Sequence, residues 1–172
     1  TFSTGTGSLQ NVIGVVEEEI AARSRASMAA FEIIGLREDD SLLVTYPPLV
    51  NVFPVEALRA RKIQVCYLHR SSRASLLEYL RHERPSAIIG ESSFIYAAMK
   101  DAAVLGFDGV FDEHTQIITA GTPLNLDMYE TARTRRIRVH DLYGCQEFGW
   151  IAWRRHSVKK RFIFYTSEKR IA

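Results

Sequence analysis

The sequence predicts an α/β fold with a mostly parallel sheet flanked by helices. Two observations carry that prediction. Short apolar or β-branched runs alternate about five times with longer segments of helical spacing, the pattern of successive βα units. Residues that start or stop helices fall at the joints: Ser72 and Asn125 as caps, Gly35, Pro85 and Gly106 as terminators.

Taken in order, residues 11–16 form a short β-branched run. Residues 17–36 are rich in Ala, Glu and Arg, with Ile20, Met28, Phe31 and Ile34 spaced for one helix face and Gly35 placed to end it. Residues 41–45 are too few and too apolar for a surface helix and read as a buried strand, ended by Pro47-Pro48. A helix over 55–61 and a strand over 63–68 follow. Ser72 caps a helix to about residue 83 that carries Leu76, Leu77 and Leu80 on one face, and Pro85 closes it. Residues 87–90 are a strand, and 93–105 a helix stopped by Gly106. Residues 116–120 are a strand, 126–134 a helix and 136–140 a strand. Residues 150–172 differ: Arg154, Arg155, Lys159, Lys160, Arg161, Lys169 and Arg170 are interleaved with Trp150, Trp153, Phe162, Phe164 and Tyr165. Residues 162–165 read as one more strand. The expected division is an α/β subdomain over 1–149 and a basic, aromatic tail, or the start of a further subdomain, over 150–172.

Composition narrows the function classes. The 172 residues suit one domain or one lobe of a larger protein; 47% are hydrophobic and 24% charged, which is ordinary globular usage. A net charge of +2 gives no reason to expect nucleic acid or an anionic membrane as partner, and the basic tail reads first as a solvated face. No apolar run approaches the ~20 residues of a membrane span. The N-terminus has neither the basic nor the apolar region of a signal peptide, and it lacks an initiator Met, so it reads as trimmed. Cys66 and Cys145 form no Cys-x-x-Cys pair, which argues against zinc and dithiol chemistry; two buried free thiols are the simpler reading, a disulfide the alternative, and a cytoplasmic location the default.

In a parallel sheet, ligands bind beyond the carboxyl ends of the strands. That directs attention to residues 90–93, 121–125 and 141–149. The N-terminal segment Ser3-Thr4-Gly5-Thr6-Gly7-Ser8 could hold a phosphate, because its glycines let backbone N–H groups approach an anion and its hydroxyls donate; the alternative is a frayed end. It lacks the Gly-Lys-Ser/Thr of a Walker loop. Thr119-Ala120-Gly121-Thr122-Pro123-Leu124 is a sharp turn after a strand, with Asn125 or Asp127 to open the next helix. In Asp141-Leu142-Tyr143-Gly144-Cys145-Gln146-Glu147-Phe148-Gly149, the glycine behind Tyr143 permits a flat ligand to approach and Glu147 could hold a hard cation; alone it is equally a polar loop. Gly90-Glu91-Ser92 lacks the closing glycine of a nucleophile elbow. His69, His82, His114, His140 and His156 form no His-x-x-x-His pair, and most are expected at the surface.

In order and spacing, these loops together resemble the adenylate-forming superfamily, most of all its phenylacetate–CoA ligase branch. The family's Ser/Thr/Gly phosphate loop corresponds to residues 3–10. Its Pro-Ser-Tyr loop and following Leu-Gly-Phe-Asp correspond to Glu91-Ser92-Ser93-Phe94-Ile95-Tyr96 and Leu105-Gly106-Phe107-Asp108. Its Gly-x-Pro corresponds to Gly121-Thr122-Pro123, and its Asp-Ile-Tyr-Gly-x-Thr-Glu-x-Gly to residues 141–149. The resemblance implies ATP-dependent, AMP-forming activation of a carboxylic acid, then transfer to CoA; the alternatives are transfer to a carrier-protein or protein thiol, and a non-catalytic nucleotide-binding or scaffold module. It implies that Thr4, Gly5, Thr6 and Gly7 wrap the ATP phosphates, that Gly121, Thr122 and Pro123 line the adenine pocket, and that Tyr143 and Gly144 pack on the adenine. Glu147 would bind Mg²⁺, Gln146 would sit near the α-phosphate, and Glu147, Gln146 and Thr6 form the catalytic set. Phe94, Tyr96 and the Gly144-Cys145 segment would wall the acid pocket and suit an aryl or other apolar acid. A homodimer is compatible with the sequence, which does not itself reveal an oligomeric state. This chain departs from the pattern in a shortened phosphate loop, in Leu9-Gln10 for Pro-Lys, in Gln146 for Thr, and in showing no equivalent of the family's ribose-gripping Asp or lid Lys, so it reads as a piece of a larger enzyme or a degenerate relative.

Overall fold

The computed structural model describes residues 14, 16–45, 53–68, 72–145, 149–155 and 163–164, of which 145, 149–151, 153–155 and 163–164 are described by their backbone. The elements are α1 (Glu17–Ile34), β1 (Ser41–Val44), α2 (Val55–Ala60), β2 (Gln64–Tyr67), α3 (Arg73–His82), β3 (Ala87–Gly90), α4 (Ser92–Val104), a 3₁₀ turn (Asp108–Val110), β4 (Gln116–Thr119), α5 (Leu126–Thr134), β5 (Val139–Cys145), β6 (Gly149–Arg155) and β7 (Ile163–Phe164). They form one sheet in the order β2-β1-β3-β4-β5-β6-β7. The strands from β2 to β5 are parallel, and β6 and β7 add antiparallel to that edge. The expected strand over 11–16 lies outside the described residues, apart from Gly14 and Val16.

Local chemistry explains most boundaries. Glu17, Glu18 and Glu19 place carboxylates in the first turn of α1, where the helix dipole favours them, and the Glu19 carboxylate accepts the Val16 N–H at 3.1 Å. Gly35 ends α1 at φ 85°, a left-handed conformation that disfavours a Cβ, and Gly35 and Leu36 both donate back to the Phe31 carbonyl at 2.8 Å. Ser72 caps α3 by accepting from Ser75 N–H at 3.1 Å. At the amino edge of the sheet, the Ser86 hydroxyl accepts the Ser41 N–H and donates to Asp40, while the Ser41 hydroxyl accepts the Ser86 N–H.

The sheet separates two apolar layers, because successive strand residues face opposite sides. Leu42, Val44, Ala87, Ile89, Ile118 and Leu142 pack with Phe31 and Ile34 of α1 and with Ala57 and Leu58 of α2. Leu43, Ile88, Ile117 and Val139 pack with Leu76, Leu77 and Leu80 of α3, with the buried face of α4, and with Met128 and Ala132 of α5.

Four expectations are corrected. Ile20 does not join the buried face of α1; it is exposed, because burial in that helix is confined to its second half, at Ser27, Ala30, Phe31 and Ile34. Residues 136–138 are not strand: Arg136 sits at φ 60° and donates to Arg133 O, and Ile137 donates to Ala132 O, so this segment closes α5. Residues 141–145 are not loop, because β5 continues through them to Cys145. Cys66 is a free, exposed thiol, because β2 is an edge strand with neither face fully covered.

Beside Cys66, partial burial and then the neighbouring thiol push the Tyr79 phenol up from 10.0 to about 12. A raised pKa means that the fold favours the neutral phenol. This contribution to stability is therefore complete below pH 10 and is lost as pH rises from 10 towards 12. Urea midpoints measured across that window should fall more steeply for the wild type than for Tyr79→Phe; parallel curves would refute the assignment.

Candidate functional site

The carboxyl ends of β3, β4 and β5 lie side by side, and the segments leaving them build the site. β1 and β3 meet too closely for a side chain there: a Cβ on Gly90 would stand 2.3 Å from Thr45 Oγ1, and that hydroxyl donates to Ile89 O at 3.1 Å. Open surface begins over β4. Gly121 turns the chain at φ 89°, and Gly121, Thr122 and Pro123 are all exposed. Asn125 then caps α5, its side-chain oxygen accepting from Met128 N–H at 2.9 Å.

Two buried hydroxyls brace this turn. Ser92, the first residue of α4, is 0% exposed; its hydroxyl donates to Pro123 O at 3.0 Å and accepts the Asn125 N–H at 2.9 Å. Thr119, also 0% exposed, donates to Asp141 Oδ1 at 2.8 Å, across the register pair that joins β4 to β5. Burial with both bonding roles used leaves Ser92 no part as a hydrolase nucleophile. On the opposite face, buried His140 shares a 2.9 Å hydrogen bond with Gln116, an exception to the expected surface placement of the histidines. His82 and His114 are exposed, while His69 and His156 lie outside the described residues.

From Asp141, β5 carries the chain outward to Tyr143, which is 61% exposed, and to exposed Gly144. An open phenol ring followed by a residue without a side chain makes a ledge on which a planar ring can lie. The ladder to β6 shifts at this point: Tyr143 pairs with Ala152 but Gly144 pairs with Trp150, so Ile151 is passed over and β6 bulges.

The sheet thus brings Gly121, Thr122 and Pro123 to the same edge as Tyr143 and Gly144. Thr4, Gly5, Thr6, Gly7, Gln146 and Glu147 lie outside the described residues, as does the side chain of Cys145. Phe94 and Tyr96 are half-buried on α4 and pack against the α3–α5 layer, with the Lys100 ammonium 4.7 Å from the Tyr96 ring centre. Among the described residues no three His, Cys, Asp or Glu side chains converge as a metal site. Ser92, Thr119 and Asp141 lie in segments the motifs single out, but their bonds are not legible there. The Glu91–Tyr96 match does not give the contacts of Ser92, and the Thr119–Asp141 pair exists only once the β4–β5 register is known.

Solved structures share this architecture. A 2-hydroxyisobutyryl-CoA ligase in complex with 2-HIB-AMP and CoA superposes with a TM-score of 0.74 at 13% identity, covering 95% of this chain and 36% of that one. The o-succinylbenzoate coenzyme A synthetase of Bacillus subtilis, in complex with ATP and magnesium, gives 0.68 at 16% identity, covering 90% and 31%. No family model matches the chain. An ACP-SH:acetate ligase from Malonomonas rubra is 48% identical over 151 residues, covering 88% of this chain. The chain shares the fold of the adenylate-forming superfamily. It spans 41% of that relative's length. Within the superfamily's fold, it supplies part of the large N-terminal domain, the mostly parallel sheet with helices on both faces.

Proposed function

We propose that the intact protein uses ATP to convert a carboxylic acid into an acyl-adenylate and then passes the acyl group to a thiol. The observation that carries this reading is the 48% identity to a protein named as an ACP-SH:acetate ligase. The ledge supports it. Exposed Tyr143 would pack on the adenine with Gly144 leaving room behind, and Gly121, Thr122 and Pro123 would line the pocket from the adjoining strand. Thr4, Gly5, Thr6 and Gly7 would wrap the phosphates, Gln146 would sit near the α-phosphate, and Glu147 would hold Mg²⁺.

In the first step a substrate carboxylate oxygen bonds to the α-phosphorus and the bond to the β-phosphate oxygen breaks, releasing pyrophosphate. In the second, a thiol sulfur bonds to the acyl carbon, AMP leaves and the thiol proton goes to solvent. The first step calls for alignment and charge neutralisation more than for proton transfer, and backbone donors of the Gly/Thr loop would supply the alignment. A bound magnesium ion would add electrostatic stabilisation of the phosphates.

The relative's name favours a carrier-protein thiol as acceptor and a small acid. CoA is the second reading, favoured by the Glu91–Tyr96 resemblance to phenylacetate–CoA ligases, and it keeps an aryl acid in the test. No helix among the described residues is long and apolar enough to cross a membrane, and we place the activity in the cytoplasm.

The full-length protein should exchange pyrophosphate into ATP in the presence of one acid from a panel running from acetate to phenylacetate. Glu147→Ala should lower that exchange by roughly a hundredfold or more. Thioester formation assayed on free CoA and on a phosphopantetheinylated carrier protein then separates the acceptors. Mg·ATP binding without exchange for any acid would instead establish the scaffold reading.

A further inference from the structure

We infer that Ser92 is a positioning residue that couples the acid side of the site to the nucleotide turn. The inference rests on the acid-activation reading above. Three observations converge on it. Ser92 is 0% exposed, so its hydroxyl has no water to exchange with. Both bonding roles of that hydroxyl are spent on one turn: it donates to the Pro123 carbonyl at 3.0 Å and accepts the Asn125 N–H at 2.9 Å. And it opens α4, the helix that also carries Phe94 and Tyr96, the residues expected at the acid pocket wall.

Only a small group that both donates and accepts can make this strut. Alanine does neither, and a larger side chain has no space at a fully buried position. The turn needs such a strut. Gly121 has a left-handed backbone, Gly121, Thr122 and Pro123 are exposed, and the Asn125 side chain is already spent on capping α5. The position of Pro123 is therefore tied to that of α4. An acid that seats against α4 fixes the position of that helix, and Ser92 passes the constraint to the turn that lines the adenine pocket, so acid and ATP each tighten the binding of the other.

The test uses the full-length protein as wild type, Ser92→Ala and Ser92→Cys. Pyrophosphate exchange is measured over a grid of ATP and acid concentrations, and Mg·ATP binding is titrated calorimetrically with and without the acid. In Ser92→Ala, KM for ATP should rise roughly tenfold, as expected for the loss of two buried hydrogen bonds, with kcat at saturation within about threefold of wild type. The tightening of ATP by the acid should disappear. Ser92→Cys exchanges the hydroxyl for a slightly larger thiol that donates and accepts more weakly, and should fall between. A residue that only supports the fold would lower the amount of active protein while leaving KM and the acid effect unchanged, and that result in Ser92→Ala overturns the proposal. If Ser92→Ala does not fold, Ser92→Cys decides: an unchanged KM for ATP overturns the proposal, a raised one supports it. A wild type that neither exchanges pyrophosphate nor binds Mg·ATP overturns the acid-activation reading and this proposal with it, whereas an active wild type with unaltered Ser92 variants overturns this proposal alone.

Discussion

Replacing Tyr143 with alanine should weaken Mg·ATP binding by the intact protein about 10- to 100-fold while leaving its unfolding midpoint nearly unchanged. The two halves of this expectation have separate grounds. Stacking of a base on an aromatic ring contributes about 1–3 kcal/mol, and the gain is made only when the ligand is bound. In the free protein the ring is 61% exposed at the end of β5, so it contributes little to the apolar layers and its removal leaves no cavity. Tyr143→Phe keeps the ring and should bind ATP within about threefold of wild type. Calorimetric titration of the three proteins is sufficient. If the alanine variant binds ATP as tightly as the wild type, the ledge does not hold the adenine, and the nucleotide site must be rebuilt from other residues.

Phe31→Ala is expected to have the opposite profile, lowering stability by about 3–5 kcal/mol. Phe31 is 0% exposed, and its ring lies 4.8 Å from that of Phe53 at an interplanar angle of 58°, a tilted contact that aromatic pairs favour. It joins α1 to the same layer as Leu42, Val44 and Ile89 of the sheet. Truncation therefore loses both transfer energy and packing, and the helix cannot close the gap without lifting off the strands. Ile20→Ala on the same helix should change stability by no more than about 0.5 kcal/mol, since Ile20 is 38% exposed. Urea unfolding of both variants tests the assignment of the buried half of α1, and comparable losses would contradict it.

The contrast between Ile20 and Phe31 shows how far the sequence could be read. Helical spacing placed both on one face, and it did so correctly as geometry. What spacing does not contain is where the sheet stops, and burial in α1 begins only at Ser27. Segments fixed by their own chemistry were legible: the all-apolar strand Ala87–Gly90, the Ser72 cap and Leu76-Leu77-Leu80 face of α3, and helix α5 behind its Asn125 cap. Segments fixed by partners were not. Asp141-Leu142-Tyr143-Gly144-Cys145 has a glycine and a charge where a buried strand would have neither, and it is a strand because β6 pairs along its whole length, with β4 pairing at Asp141. The same holds at the site. The exposed turn at Gly121 and the open ring of Tyr143 follow from motifs, whereas Ser92 and the Thr119–Asp141 pair depend on contacts between distant segments.

The residue passed over in β6 acts as a phase shifter for that strand. Side chains along a strand alternate faces with a period of two, so one additional residue moves everything on its far side by half a cycle. With Ile151 in place, the β6 residues opposite Gly144 and Cys145 have their own parity, independent of those opposite His140 to Tyr143. Deleting Ile151 would give an unbroken ladder in which Trp150 still pairs with Gly144 and Gly149 with Cys145. The length of β6, and not only its composition, thus sets which of its residues share a face of the sheet.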